Sequence, residues 1–246
     1  MKIKSLQKII TLHISLSLLL ITLIYYIIIP TWYPSEFSKI LAGTEIFTIL
    51  ISVELGLIIT LILLLSIGRN NSKKEVLFIY CLFFSLQASA AIVGIKTLYE
   101  AKPMYIAYEF DRFRIVRPID IIWGNEKRKY NLFRGPTLYS TEKYPSNDIR
   151  LLKSIRDSIN GIYPSFKKER LIPYENSKID IIKNSRSLAA LSNKKLNKII
   201  ELFGKVDINT LAYYPLVSYL SDEWIVIISL HDATIIGYAN VDGWES

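Results

Sequence analysis

The chain of 246 residues holds one cysteine and two histidines. Cys81 lies inside an apolar run, so an intramolecular disulfide and a cluster of thiolate metal ligands are both excluded. His13 and His231 fall on opposite sides of the membrane described below, which leaves no histidine pair for a metal and no catalytic triad. No glycine-rich phosphate loop is present. The first apolar run leaves through Tyr25-Tyr26-Ile27-Ile28-Ile29-Pro30, without the small residues of a cleavage site, so it reads as an anchor and not as a signal peptide. These absences predict a protein that is not an enzyme, with no catalytic residues, no cofactor and no metal.

What is abundant is apolar surface. Hydrophobic residues make up 51% of the chain and the mean hydropathy is +0.28. Most of that lies in the first hundred residues, in runs from about Ile9 to Ile29, Ile46 to Ile67 and Val76 to Leu98. Each is long enough, at about 1.5 Å per residue, to cross a hydrocarbon core of about 30 Å. Pro30 is expected to stop the first run. The predicted architecture is a membrane protein: three N-terminal transmembrane helices over residues 1–99, then a small α+β soluble periplasmic domain over residues 100–246.

Charge sets the expected orientation. Lys2, Lys4 and Lys8 precede the first run, and the loop from Gly68 to Glu75 holds Arg69, Lys73 and Lys74, whereas Pro30 to Glu45 has only Lys39. By the positive-inside rule the N-terminus is cytoplasmic and everything after Tyr99 lies outside, in the periplasm if the membrane is a bacterial inner membrane. The formal charge of +8 is scattered among Asp and Glu. It reads as a solvated surface that can also meet membrane lipid, and not as a nucleic-acid footprint.

Polar residues within the apolar runs are few. Glu54 in the second run and Gln87 in the third stand about 12 Å and about 16 Å below the outer face. They can hydrogen-bond to each other, or present a polar contact to another transmembrane helix. Gly56 and Gly94 would allow close helix approach. Lys96 is placed to snorkel at the outer interface, His13 to be wetted at the inner one, and Trp32 and Tyr33 to join an interfacial aromatic belt.

In the soluble part, Met104 to Phe110 and Asp111 to Val116 alternate as strands. Ser146 is the expected cap of a helix whose apolar positions Ile149, Leu152, Ile155 and Ile159 follow helical spacing, with Gly161 past its end. A second helix spans about Asn193 to Phe203, stopped by Gly204. Glu223 to Leu230 and Thr234 to Val241 form a hairpin around His231-Asp232-Ala233, a turn and not an acid–base pair. Pro136 to Pro145 and Ile162 to Ser177 read as loops. Asp111 and Arg112 can form a surface ion pair at a strand end, with Phe113 in the core. The alternative to a non-enzyme is a membrane-anchored enzyme, for which Glu109, Asp111 and Asp120 are the nearest acidic candidates.

The order Trp32-Tyr33-Pro34, Val53-Glu54-Leu55-Gly56, Lys73-Lys74, Gln87-Ala88, Ala101-Lys102-Pro103 and Asp111-Arg112-Phe113 resembles the TfpX/TfpZ family of type IV pilin accessory proteins. The likeness covers roughly residues 30 to 120. More loosely it takes in Tyr214 to Val217, Trp224, and Gly237 to Trp244. That family has aspartate where this chain has Glu54, proline at Leu57, arginine at Lys102, and an aspartate near Ile79. The resemblance implies three membrane helices, a periplasmic domain and a chaperone-like role for the major pilin. The partner it implies is the pilin's transmembrane helix and periplasmic head. Glu54, Gln87 and Lys96 would be the contacts in the membrane. Lys102, Pro103, Asp111, Arg112 and Phe113 would be the motif residues at the domain entry. Under the enzyme alternative, the substrate the resemblance implies is pilin or envelope glycans.

Overall fold

In lipid, a spanning segment must close its backbone hydrogen bonds internally, and the long apolar runs of this chain do so as helices. A computed structural model describes residues 3–67, 72–124, 135–204 and 207–244. Lys2, and Gly68 to Asn71 of the charged loop with Arg69 among them, lie outside the described residues. The chain divides into two units, Met1–Lys102 and Pro103–Ser246.

In the first unit, α1 (Ile3–Leu23) runs through a π-helical turn (Ile24–Ile28) into α2 (Ile29–Trp32). Pro30 therefore does not end the span. Ile29 N–H reaches back five residues to Ile24 O, and this wider turn admits a proline that has no N–H and whose ring would clash in a regular helix. A single turn, α3 (Phe37–Ile40), leads into α4 (Gly43–Ile67), and α5 (Lys73–Ala101) follows. Three helices are long and apolar enough to cross a membrane: Lys8–Trp32, Gly43–Ser66 and Lys74–Ala101. A capping box opens α5, with Ser72 and Glu75 each accepting the other's backbone N–H. Its end is set by Pro103, which holds Lys102 extended at ψ 154°.

Packing in this unit departs from the expected aromatic belt. Trp32 and Tyr33 are buried. Tyr33 Oη donates to Leu98 O at 2.6 Å, and the Trp32 ring meets Tyr99 edge-on at 5.5 Å. Of the two glycines expected at close approaches, Gly94 serves one: a Cβ there would lie 2.3 Å from Leu50 Cδ1. Gly56 faces open space.

The second unit is built on an eight-stranded mixed sheet: β1 (Tyr105–Tyr108), β2 (Phe113–Val116), β3 (Thr137–Thr141), β4 (Leu171–Pro173), β5 (Arg186–Ser187), β6 (Leu211–Val217), β7 (Trp224–Ser229) and β8 (Ile235–Ala239). The order is β4-β3-β1-β2-β6-β7-β8, with β5 paired to β6; β1 with β3 and β2 with β6 are parallel. Strands β1, β2, β6 and β7 are almost wholly buried; β1, β6 and β7 are mainly apolar, and β2 buries Arg114 by pairing it with Glu109. The hairpin of β7 and β8 and the turn at His231 and Asp232 match expectation, with Asp232 accepting from Thr234 N–H and Oγ1–H.

Two expected loops are not loops. Pro136 to Pro145 contains β3, whose side chains pack beside β1, and Ile162 to Ser177 contains β4 and several 3-10 turns. The helices are α6 (Ile149–Ile159), α7 (Lys178–Asn184) and α8 (Asn193–Phe203). Helix α8 ends at Gly204 with φ +75°, as expected, and its Phe203 fills the space left by Gly237, where a Cβ would come within 2.5 Å of the ring. Asp148, not Ser146, caps α6, by accepting Arg150 N–H. Gly161 follows with φ +79°. The apolar positions of α6 keep their helical spacing, but Ile149, Leu152, Ile155 and Ile159 all point to solvent.

Candidate functional site

The membrane unit buries a small polar cluster. His13 and Ser17 are four residues apart on α1 and so share one face, while Glu54 comes from the middle of α4 and Gln87 from the middle of α5. All four are buried. Gln87 Nε2 donates to Glu54 Oε2 and to Ser17 Oγ, both at 2.5 Å, and Ser17 Oγ–H returns to His13 O at 3.1 Å. The expected Glu54 and Gln87 pair is thus formed, and α1 is tied into it.

The cluster is incompletely satisfied. Glu54 Oε1 and both ring nitrogens of His13 have no hydrogen-bond partner among the described residues. His13, expected to be wetted, is enclosed with its ring edge-on to Tyr80 at 5.9 Å. A buried polar atom left without a partner is costly, more so where no water is at hand. Glu54 also lines a groove of about 460 Å³ between α4 and α5, whose wall is mostly apolar, with Leu50, Val53, Ala90 and Val93, and includes Ser89 and Thr97. The groove is apolar with one carboxyl in its lining, which suits it to an apolar segment bearing a single polar group.

The other expected residues lie elsewhere. Lys96 stands outward on α5, its side chain 71% exposed and loosely paired with Glu100 at 3.7 Å. Lys102 is buried at the end of α5, its Nζ 4.9 Å from the Tyr99 ring centroid and 5.4 Å from that of Trp32. Pro103 is buried at the start of the second unit. Asp111 and Arg112 form a two-pronged pair at 2.7 and 2.8 Å, with the guanidinium over Trp244 at 4.6 Å, and Phe113 is wholly buried. The acidic candidates for an enzyme each hold an arginine of their own: Glu109 pairs with Arg114 at 2.9 Å and accepts Ser165 N–H, and Asp120 pairs with Arg117 at 2.8 Å.

Sequence reasoning missed the participation of His13 and Ser17. The available signal was their four-residue spacing in a run made mostly of Leu and Ile.

No family model matches the chain, and no solved structure matches it. Curated relatives do. The serogroup I fimbrial assembly protein of Dichelobacter nodosus is 25% identical over 252 residues, covering 97% of this chain and 96% of the relative. The serogroup E1 fimbrial assembly protein is 25% identical over 255 residues, with the same coverage. That of serogroups C1 and C2 is 31% identical over 119 residues, which span 47% of this chain and 87% of the relative. With identity at that level across most of one relative, and coverage nearly end to end in two others, the chain belongs to the family of fimbrial assembly proteins.

Proposed function

We propose that this chain is a non-enzymatic accessory protein of the TfpX/TfpZ type, which holds the type IV major pilin in a bacterial inner membrane before polymerisation. The relatives' names support the process, fimbrial assembly. The mode rests on one observation: an apolar intramembrane groove with Glu54 in its lining, a carboxyl whose second oxygen is buried without a partner among the described residues. A pilin subunit waiting in the bilayer is a single apolar helix with a few polar groups, and such a helix is what the groove accommodates. Glu54 Oε1 accepts from a donor on that helix, its N-terminal amine for instance. Gln87 is already committed to Glu54 and Ser17, so Lys96, exposed near the other end of α5, is the better placed partner for an acidic residue on the pilin.

In this reading the N-terminus is cytoplasmic, the second unit is periplasmic, and that unit meets the pilin head. The competing glycan-modifying enzyme needs converging acids, and Glu109, Asp111 and Asp120 are instead each neutralised by a neighbouring arginine. Two experiments test the proposal. Deleting the gene should abolish surface pili in sheared fractions, with total pilin reduced or retained. A photo-crosslinker at Leu50 or Ala90, in the groove wall, should capture pilin; capture of lipid alone, with pili unchanged in the deletion strain, overturns the reading.

A further inference from the structure

Helix α6 is amphipathic in the reverse sense. Its inward face is polar and used up: Ser154 Oγ accepts from Arg170, and Asp157 pairs with Lys167. Its outward face is aliphatic, with Ile149 81%, Leu152 69%, Ile155 49% and Ile159 80% exposed, and Ile162 continues it beyond the helix. A soluble domain leaves such a stripe open when something else covers it.

We propose that this face of α6 lies on the surface of an anionic lipid bilayer. Three observations favour lipid over a protein. The stripe carries exposed cations, since Arg156 falls between Leu152 and Ile149 and Lys153 flanks the Ile149 edge when α6 is viewed down its axis. Aliphatic side chains beside snorkelling Lys and Arg are the pattern of helices that lie in the headgroup region of acidic membranes. The patch is also small: about five aliphatic residues, against the roughly 20–30 residues a side of a standard protein interface. Finally, the domain begins at Pro103, directly after a span ending at Ala101, so a bilayer is always within reach and a weak contact suffices. Lys153 and Arg156 supply the attraction to phosphate-bearing headgroups, and Leu152, Ile155 and Ile159 enter the boundary beneath them. The face does not depend on the groove between α4 and α5 or on pilin.

The test uses the full chain with Cys81→Ser and a single cysteine at Ile159→Cys, labelled with an environment-sensitive fluorophore. It is reconstituted into vesicles of phosphatidylcholine with phosphatidylglycerol that contain nitroxide-labelled lipid. The same label at Glu201→Cys, on exposed α8, is the control. The label at 159 is expected to be quenched by shallow nitroxides and the label at 201 is not. Lys153→Gln and Arg156→Gln should each lower the ratio of docked to free helix about fivefold, and exchange of the acidic lipid for phosphatidylcholine, which removes both attractions, about 25-fold. Equal, weak quenching at 159 and 201 overturns the proposal. So does quenching at 159 that ignores both charges and acidic lipid, and so does shielding that arises only when purified pilin is added.

Discussion

Gln87 holds one oxygen of Glu54 at 2.5 Å and leaves the other buried without a partner among the described residues, so the residue that ties the anchor together also borders the groove between α4 and α5. The two roles are separable by mutation. Gln87→Leu strands the Glu54 carboxyl and Ser17, and should destabilise the anchor by about 1–2 kcal/mol. Glu54→Leu combined with Gln87→Leu removes both partners and should recover most of that loss. Thermal unfolding in detergent micelles measures the stability. If the doubly substituted protein is stable and still displays pili at the normal level, Glu54 has no role beyond packing.

The two glycines of the anchor make a paired test. Gly94→Ala brings a methyl against Leu50, whose side chain must shift, at a cost of about 1–3 kcal/mol. Gly56→Ala meets nothing and should be neutral or raise stability by up to about 1 kcal/mol through helix propensity. Equal effects from the two substitutions in the same unfolding assay would contradict the packing described here.

In the second unit, Glu109 and Arg114 form an ion pair whose side chains are 6% and 7% exposed, with Arg114 stacked 3.5 Å from the Tyr163 ring centroid. Arg114→Met leaves a buried carboxylate with only Ser165 N–H for company. The expected loss is about 3–5 kcal/mol, read by denaturant unfolding followed through tryptophan fluorescence, whereas Arg112→Met at the exposed Asp111 pair should cost about 1 kcal/mol or less.

Burial at the end of α5 pushes the Lys102 ammonium down to about 8, from an ordinary 10.5, although the neighbouring aromatic faces favour the charge. The folded chain therefore gives up this proton first. Between about pH 8 and 10 the unfolded chain binds more protons, and stability should rise with pH. The window closes near 10, where tyrosines of the unfolded chain ionise while Tyr105, Tyr174 and Tyr214 are held protonated by burial. Lys102→Met should flatten the rise, measured as the unfolding temperature at pH 8 and at pH 9.5.

Legibility followed physical distinctness. Long apolar runs have few alternatives to a spanning helix, and Gly204 and the turn at Asp232 declare their own backbone geometry, so these features were readable. Strand β6 was not, because Pro215 sits in its middle and lacks the N–H that a central strand normally uses; its sequence reads as interrupted until β7 is seen beside it. Strands β3 and β4 are short and lie within stretches rich in Pro, Tyr and charge, and only their neighbours make them strands. The stripe on α6 shows a further gap: periodicity says that one face is apolar, not that the face is turned inward. The same holds for His13, whose burial depends on the rotation of α1 against Tyr80. Of the site, the Glu54 and Gln87 pair could be reached by counting residues to equal depth, but Ser17 and the groove required knowing which helix lies next to which.

The π-helical turn at Ile24–Ile28 means that the first span contains one residue more than a regular helix would use over the same rise. Every side chain beyond it is thereby turned by about 100° relative to an uninterrupted helix. That added rotation belongs to the alignment that puts Trp32 and Tyr33 against Tyr99 and Leu98. A relative that lost one residue between Leu23 and Pro30 would have to re-choose the aromatic side chains at the C-terminal end of the span, so length and aromatic content in this stretch should change together or not at all.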